Sequence, residues 1–299
     1  MKKARQNLQA IVATIEEYFN SLNKVTFSSS NLSDIFFAKK REWNLPRGMD
    51  DEAFVRMLVD RTKLLEIMLQ SKHYPPILRY TLGPAQPLSV ALSIRPSGYF
   101  SHGTAMWIHG IGNTATDIFL NREQSEKTSN PGPLSQTSIN LAFRSSQRRS
   151  KLIYTLETGV NITLLSGKNS KQLEVGDAKA PSGEIVRATS LERTLVDIAV
   201  RPTYAGGISD IIEAFRLARG RISVSRLLEI LQKLDYSYPY HQAIGFYLKR
   251  NEYSETDLEL VKKIGLEFDF YADYGIQDSI FDSEFRIYYP QSLDLKHRD

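Results

Sequence analysis

The stretch from Ser28 to Leu82, SSSNLSDIFFAKKREWNLPRGMDDEAFVRMLVDRTKLLEIMLQSKHYPPILRYTL, decides how the front of the chain is read. Ser28, Ser29, Ser30 and Asn31 supply N-cap oxygens. Leu32, Ile35, Phe36 and Trp43 then form the inward face of a helix that turns Lys39, Lys40 and Arg41 outward. Pro46 and Gly48 break it, and Asp50 is placed to cap another helix through about Arg61, with Phe54, Met57 and Leu58 buried. The period then changes from helical to two: Leu65, Ile67 and Leu69 alternate with Glu66, Met68 and Gln70, the pattern of a strand. Residues 71–76 are a turn, and Ile77–Leu82 returns as a second strand closed by Gly83-Pro84. Upstream, Leu8, Ile11, Val12, Ile15, Tyr18 and Phe19 fall at helical spacing until the turn signal Ser21-Leu22-Asn23. Three short helices followed by a hairpin is the order of a winged helix-turn-helix, whose third helix enters the major groove while the wing touches backbone.

That order selects candidate DNA-binding residues by position. They are Arg47, Arg56, Arg61 and Lys63 around the third helix, Lys39, Lys40 and Arg41 on the second, and Lys72 and Arg79 on the wing. Phosphate contacts position a protein, whereas base-edge contacts specify sequence. Asp50, Asp51 and Glu52 suit the positive end of the third helix, yet they repel phosphate if that end points into a groove. Either the helix docks by its middle, with Arg56 leading, or the module meets protein instead.

Of 299 residues, 41% are hydrophobic and 24% charged, which excludes disordered and fibrous classes. A chain this long needs neither disulfide nor metal to fold. It has no cysteine, which removes disulfide scaffolds, cysteine nucleophiles and thiolate metal sites. The basic start mimics a signal peptide, but Leu8–Ile15 is short, broken by Gln9, and followed by Glu16 and Glu17. With no window of membrane-span length, a soluble, cytoplasmic protein is expected. Charge is uneven: residues 1–82 hold 13 Lys+Arg against 9 Asp+Glu, residues 83–182 hold 10 against 6, and residues 183–299 hold 15 against 19. A basic front and acidic rear direct any polyanion to the front.

The fold class expected is α+β, with a front domain over 1–85 and a larger mixed α+β domain over 86–299, strands in its middle and helices towards its end. Ser89–Ile94 reads as a strand, Ser101 caps a short helix, and Asp117–Asn121 reads as a strand. Residues 129–138 read as a loop, and further strands are expected at 151–157, 160–165, 172–177 and 184–189. His102 and His109 would lie about 10 Å apart along a helix, too far for one metal ion, so they are read as structural. Arg144, Arg148, Arg149 and Lys151 form the densest basic run, a secondary nucleic-acid surface or a solvated face.

In the rear, Ser190 caps a helix with Leu191, Leu195, Ile198 and Ala199 on one side, stopped at Arg201-Pro202. Glu192, Arg193 and Asp197 read as an internal charge network. Helices are expected at about 209–219, 223–234, 240–250 and 254–264, and strands near 266–271 and 284–288. Tyr236, Tyr238, Tyr240, Phe246 and Tyr247 read as core in preference to a base-stacking platform. Gly206-Gly207 followed by Asp210 and Glu213 offers the alternative of a nucleotidyltransferase-like, nucleic-acid-processing enzyme, since a glycine turn can cradle phosphate. No Asp-x-Asp strand, Walker loop, GxSxG or GxGxxG accompanies it.

Five segments, SHGTAMWIHGI (101–111), AFRSSQRRS (142–150), ITLLSGK (162–168), SLERTLVDIAVRPTYAGG (190–207) and HQAIGFYLKR (241–250), occur in an order that resembles the AbiEi family. These are the antitoxins of type IV toxin–antitoxin, or abortive-infection, systems. The resemblance covers nearly the whole chain. It implies a protein without catalytic residues or cofactors. A winged helix would bind operator inverted repeats upstream of its own operon and repress it. The C-terminal domain would counter a cognate nucleotidyltransferase toxin without a stable complex. Operator contacts would then fall on residues 47–63 and 71–80, and the antitoxin determinant on roughly 86–299.

Overall fold

The computed structural model describes residues 2–22, 24–113, 117–125 and 132–295. The fold is mixed α+β, with helices first, then sheets, then a helical C-terminal region. It divides into two compact units, residues 1–97 with 152–163, and residues 98–151 with 164–299.

The first unit opens with α1 (Lys2–Ser21), β1 (Thr26–Phe27), α2 (Ser29–Lys39) and α3 (Asp51–Arg61), continues through β2 (Leu64–Leu69) and β3 (Ile77–Leu82), and adds α4 (Pro87–Ile94). Ser28 caps α2: its hydroxyl accepts from Asn31 N while the Asn31 side chain accepts from Ser28 N, two unpaired helix donors satisfied reciprocally. Asp50 caps α3 by accepting from Ala53 N. β2 and β3 pair antiparallel from Leu64↔Leu82 to Leu69↔Ile77, and β1 adds to the free side of β3, giving the order β1–β3–β2. The core joins Ile15 and Phe19 of α1 to Phe27, Leu32, Phe36, Phe54, Leu58 and Tyr80. Trp43 belongs to this core but lies beyond α2, in the turn after it. Gln70 and Thr155 exchange two backbone hydrogen bonds, which ties residues 152–163 to this unit.

One expectation fails here. Ser89–Ile94 is helix, not strand: Pro87 sits at the first helical position, where its missing N–H costs nothing. The segment's apolar residues run together without a clear period, and Leu88, Val90 and Ala91 are the ones buried.

In chain order the rest comprises β4 (Tyr99–Phe100), α5 (His102–Ile108), β5 (Asp117–Glu123), α6 (Gln136–Phe143), β6 (Ile153–Thr155), β7 (Asn161–Gly167), β8 (Val175–Lys179) and β9 (Ile185–Thr189). These strands form one sheet in the order β6–β7–β5–β4–β9–β8. Of the expected loop at 129–138, residues 129–131 lie outside the described residues, and 136–138 begin α6. Five helices follow: α7 (Leu191–Val200), α8 (Ile208–Ala218), α9 (Val224–Leu234), α10 (Tyr240–Arg250) and α11 (Glu255–Lys262). The chain continues through β10 (Phe270–Tyr271), β11 (Ser279–Asp282) and β12 (Ile287–Pro290) to α12 (Ser292–Leu295). α7 is the centre of the second unit, with every residue from Glu192 to Val200 buried.

α10 packs so closely beneath Phe285 that only glycine fits at position 245. A Cβ there would overlap the Phe285 ring and stand 3.0 Å from Val261 Cγ1. Helix propensity favours alanine over glycine by about 1 kcal/mol, but Phe285 is fully buried and cannot swing away. Overpacking costs about 1–3 kcal/mol, so Gly245→Ala is expected to lower the urea midpoint; a midpoint above that of the unmodified chain would contradict this packing.

Candidate functional site

The structure gives the front cations unequal freedom. Arg79 is occupied: its guanidinium donates to Ser93 Oγ at 3.1 Å, Ser93 O at 3.2 Å and Leu78 O at 2.8 Å. Lys40 braces the turn before α3 by donating to Arg47 O and Met49 O, and lies 5.0 Å above the Phe36 ring. Lys39 pairs with Glu42 at 2.7 Å. Arg56 stands 3.9 Å from Glu52, both well exposed. Arg41, Arg47, Arg61, Lys63 and Lys72 are exposed and form no ion pair among the described residues.

α3 shows why its acids are there. Asp51 accepts from Ser33 Oγ of α2 at 2.6 Å, a bond that holds its carboxyl below the usual range, and Asp50 is spent on the cap. With Phe54 and Leu58 facing the core, the solvent side carries Glu52, Arg56 and Asp60 at four-residue spacing. Arg56 is therefore flanked by a carboxylate one turn away on each side. Four of the free cations lie at the ends of α3 and on the hairpin: Arg47 before the helix, Arg61 in its last turn, Lys63 after it, and Lys72 in the turn between β2 and β3; Arg41 follows α2.

In the second unit, Arg149 of the dense basic run is committed to Thr203 through its hydroxyl and carbonyl oxygens. Arg144, Arg148 and Lys151 are exposed. The Gly206-Gly207 turn precedes α8 with both glycines at positive φ, 97° and 108°. Asp210 folds back over it, its carboxylate oxygen filling the place where a Gly206 Cβ would stand. An anion at that helix start would meet this carboxylate first. Both histidines have hydrogen-bond partners within the fold. His109 Nε2 lies 2.6 Å from Thr189 O. His102 Nδ1 lies 2.8 Å from Ser101 Oγ, and its ring meets Tyr204 edge-on.

A cavity of about 770 Å³ opens in the second unit, and no sequence motif announces it. Arg193 and Asp197 of α7 form one wall, 3% and 4% exposed, joined by Arg193 Nε to Asp197 Oδ1 at 2.8 Å. Burial pulls the arginine pKa down, and Asp197 more than reverses this, so the guanidinium is held charged. His102 also lines the cavity, and burial depresses its pKa to about 4, which keeps it neutral near pH 7. Tyr236, Tyr238 and Tyr240 close another side. Tyr240 is buried as expected of a core residue, whereas Tyr236 and Tyr238 keep half-buried rings.

No family model and no curated protein matches the chain. The crystal structure of RV2827C protein from Mycobacterium tuberculosis is similar over 96% of this chain and 94% of that one, with a TM-score of 0.60 and 12% sequence identity. At this identity the likeness is one of fold. No helix of the described residues is long and apolar enough to cross a membrane.

Proposed function

We propose that the chain is a cytoplasmic, bipartite antitoxin of the AbiEi kind that does no chemistry of its own. Its first unit acts as a winged helix on operator DNA and represses its own operon, and the remainder counters a nucleotidyltransferase-like toxin without a stable complex. The observation that carries the DNA reading is the connectivity of residues 26–82: β1, two helices and a hairpin, with β1 closing the sheet against β3. That arrangement presents a helix and a wing together. Four unpaired cations at the edges of this helix and hairpin, Arg47, Arg61, Lys63 and Lys72, and Arg41 after α2 supply the charge for phosphate. The acidic flanks of Arg56 favour docking by the helix ends and the wing over insertion of the central row.

The enzyme alternative has less support, because Asp210 occupies the position in which the glycine turn would cradle a phosphate. Arg47→Ala, Arg61→Ala and Lys63→Ala together remove three phosphate contacts from exposed positions. The triple variant is expected to lose about 3 units from the slope of log K against log salt, at roughly 0.9 per phosphate. It should still rescue cells co-expressing the neighbouring toxin. Unchanged operator affinity and slope would show that this surface meets something other than DNA. Loss of rescue along with DNA binding would contradict the division of labour.

A further inference from the structure

The cavity in the second unit lies outside the elements proposed to meet DNA, and two acceptors of its lining residues lack a donor. Asp197 Oδ2 and Gln147 Oε1 are both buried and neither takes a hydrogen bond from any described residue. Asp197 is 4% exposed, and a buried carboxylate oxygen left without a donor is destabilising. Both residues line the cavity, so two acceptors without a donor stand just behind its surface, and each would reach a hydroxyl or amine in the cavity by turning towards it. The charged lining comprises Lys168, Arg193 and Arg201 against Asp197 and Asp235, an excess of one positive charge. Lys168 pairs with Asp235 at 3.8 Å, and Arg193 with Asp197. Arg201 is exposed, lies 5.7 Å from the Tyr204 ring, and forms no ion pair among the described residues. It is the cation left for an anionic guest. Tyr236 and Tyr238 each pack edge-on against Tyr240, at 5.7 and 6.2 Å, Lys168 Nζ lies 5.6 Å over the Tyr236 ring and Phe143 meets Tyr238 edge-on, so the half-buried remainder of these rings is what a flat group would meet.

Donors for two orphan acceptors, one anionic group and a planar ring belong together in few small molecules. We propose that this cavity is a nucleotide site: the phosphate meets Arg201, sugar or base donors meet Asp197 and Gln147, and the base lies against Tyr236 and Tyr238. The volume suits such a guest, since ligand pockets run from roughly 300 to 1,000 Å³. Binding alone is inferred.

Isothermal titration of the full chain with AMP, GMP, CMP and UMP tests this, with ribose 5-phosphate and inorganic phosphate as comparators. At least one nucleotide is expected to bind once per chain, tenfold or more tighter than either comparator. Arg201→Ala, an exposed change that leaves both buried residues in place, is expected to weaken it at least tenfold. Arg187→Ala, an exposed change outside the cavity lining, should leave it unchanged. The site assignment is overturned if none of the four binds at millimolar concentration, if ribose 5-phosphate binds as tightly, or if Arg201→Ala changes nothing. Operator binding by the Arg201→Ala chain is a separate readout that bears on the first unit alone.

Discussion

Asp197→Ala is expected to destabilise the second unit by about 3–5 kcal/mol, the cost of removing one partner from a buried ion pair. Arg193 is 3% exposed and its remaining acceptors are neutral: Leu173 O at 2.8 Å and Ser170 Oγ at 3.3 Å. Neither compensates a full charge, and with only 3% of its surface exposed the guanidinium, although it lines the cavity, gains little from water. The cost arises from the abandoned charge more than from the lost bond. A control separates the two. Arg193→Met with Asp197→Leu removes both charges at similar volume, and such replacements are often neutral or stabilising. Urea denaturation should place the single variant far below the unmodified chain and the double variant close to it. A single variant within about 0.5 kcal/mol of the unmodified chain, the range of ordinary surface substitutions, would mean that the pair is not buried as described.

Acidification is expected to weaken the fold through His102. Its folded pKa is about 4, set first by burial, with Arg201 and Arg193 acting the same way and Asp197 opposing. An unfolded histidine titrates near 6.5. Between these values the unfolded chain holds a proton that the folded chain does not, so stability falls as pH drops from about 6.5 to about 4. At 1.36 kcal/mol per unit the loss from this residue reaches about 3 kcal/mol near pH 4. His102 has φ of 52°, a left-handed conformation that asparagine tolerates better than most residues. His102→Asn should therefore start less stable at pH 7.5, lacking the packed ring, yet lose less on the way to pH 4.5. Parallel losses in the two chains would assign the acid sensitivity elsewhere.

The helices of the second unit were legible because their caps and periods agree. Ser190 accepts from Arg193 N as expected, and Arg193 and Asp197 at four-residue spacing do form an internal pair. The front elements were legible for the same reason: the change of period read from Leu65 falls in β2, where Ile67 and Leu69 are buried as that alternation expects, although Leu65 is exposed and Leu64 takes the buried place. What stayed hidden is short or long-range. β1 is two residues long, and its place beside β3 is fixed by pairing with Thr81 and Tyr80, far along the chain. The strand expected over 266–271 shrinks to Phe270–Tyr271, and β11 went unseen, because that region's aromatics carry no clean alternation. Residues 152–163 join the first unit through the Gln70–Thr155 pairing, to which no local signal points.

The site was legible only by position. Charge and element order pick out Arg79 and Lys40 as readily as Arg61 and Lys72, but the sequence does not show that Ser93 holds the first and the α2–α3 turn the second. The cavity gathers Asn121, Gln147, Lys168, Asp197 and Tyr238 from separate segments, and no spacing rule connects them. Tyr236 and Tyr238 share a composition with Tyr240, and only packing distinguishes a ring that faces an opening from one that fills the core.

The most direct measurement is the affinity of the unmodified full chain for duplex DNA from its own promoter, followed from low to moderate salt. Five unpaired cations on the first unit give a slope of log K against log salt of about −4 to −5 per chain, at roughly −0.9 for each phosphate neutralised. A slope near that value, with tighter binding to promoter DNA than to unrelated duplex, is the result the account requires. Absence of binding in dilute buffer, or a slope near zero, would contradict it.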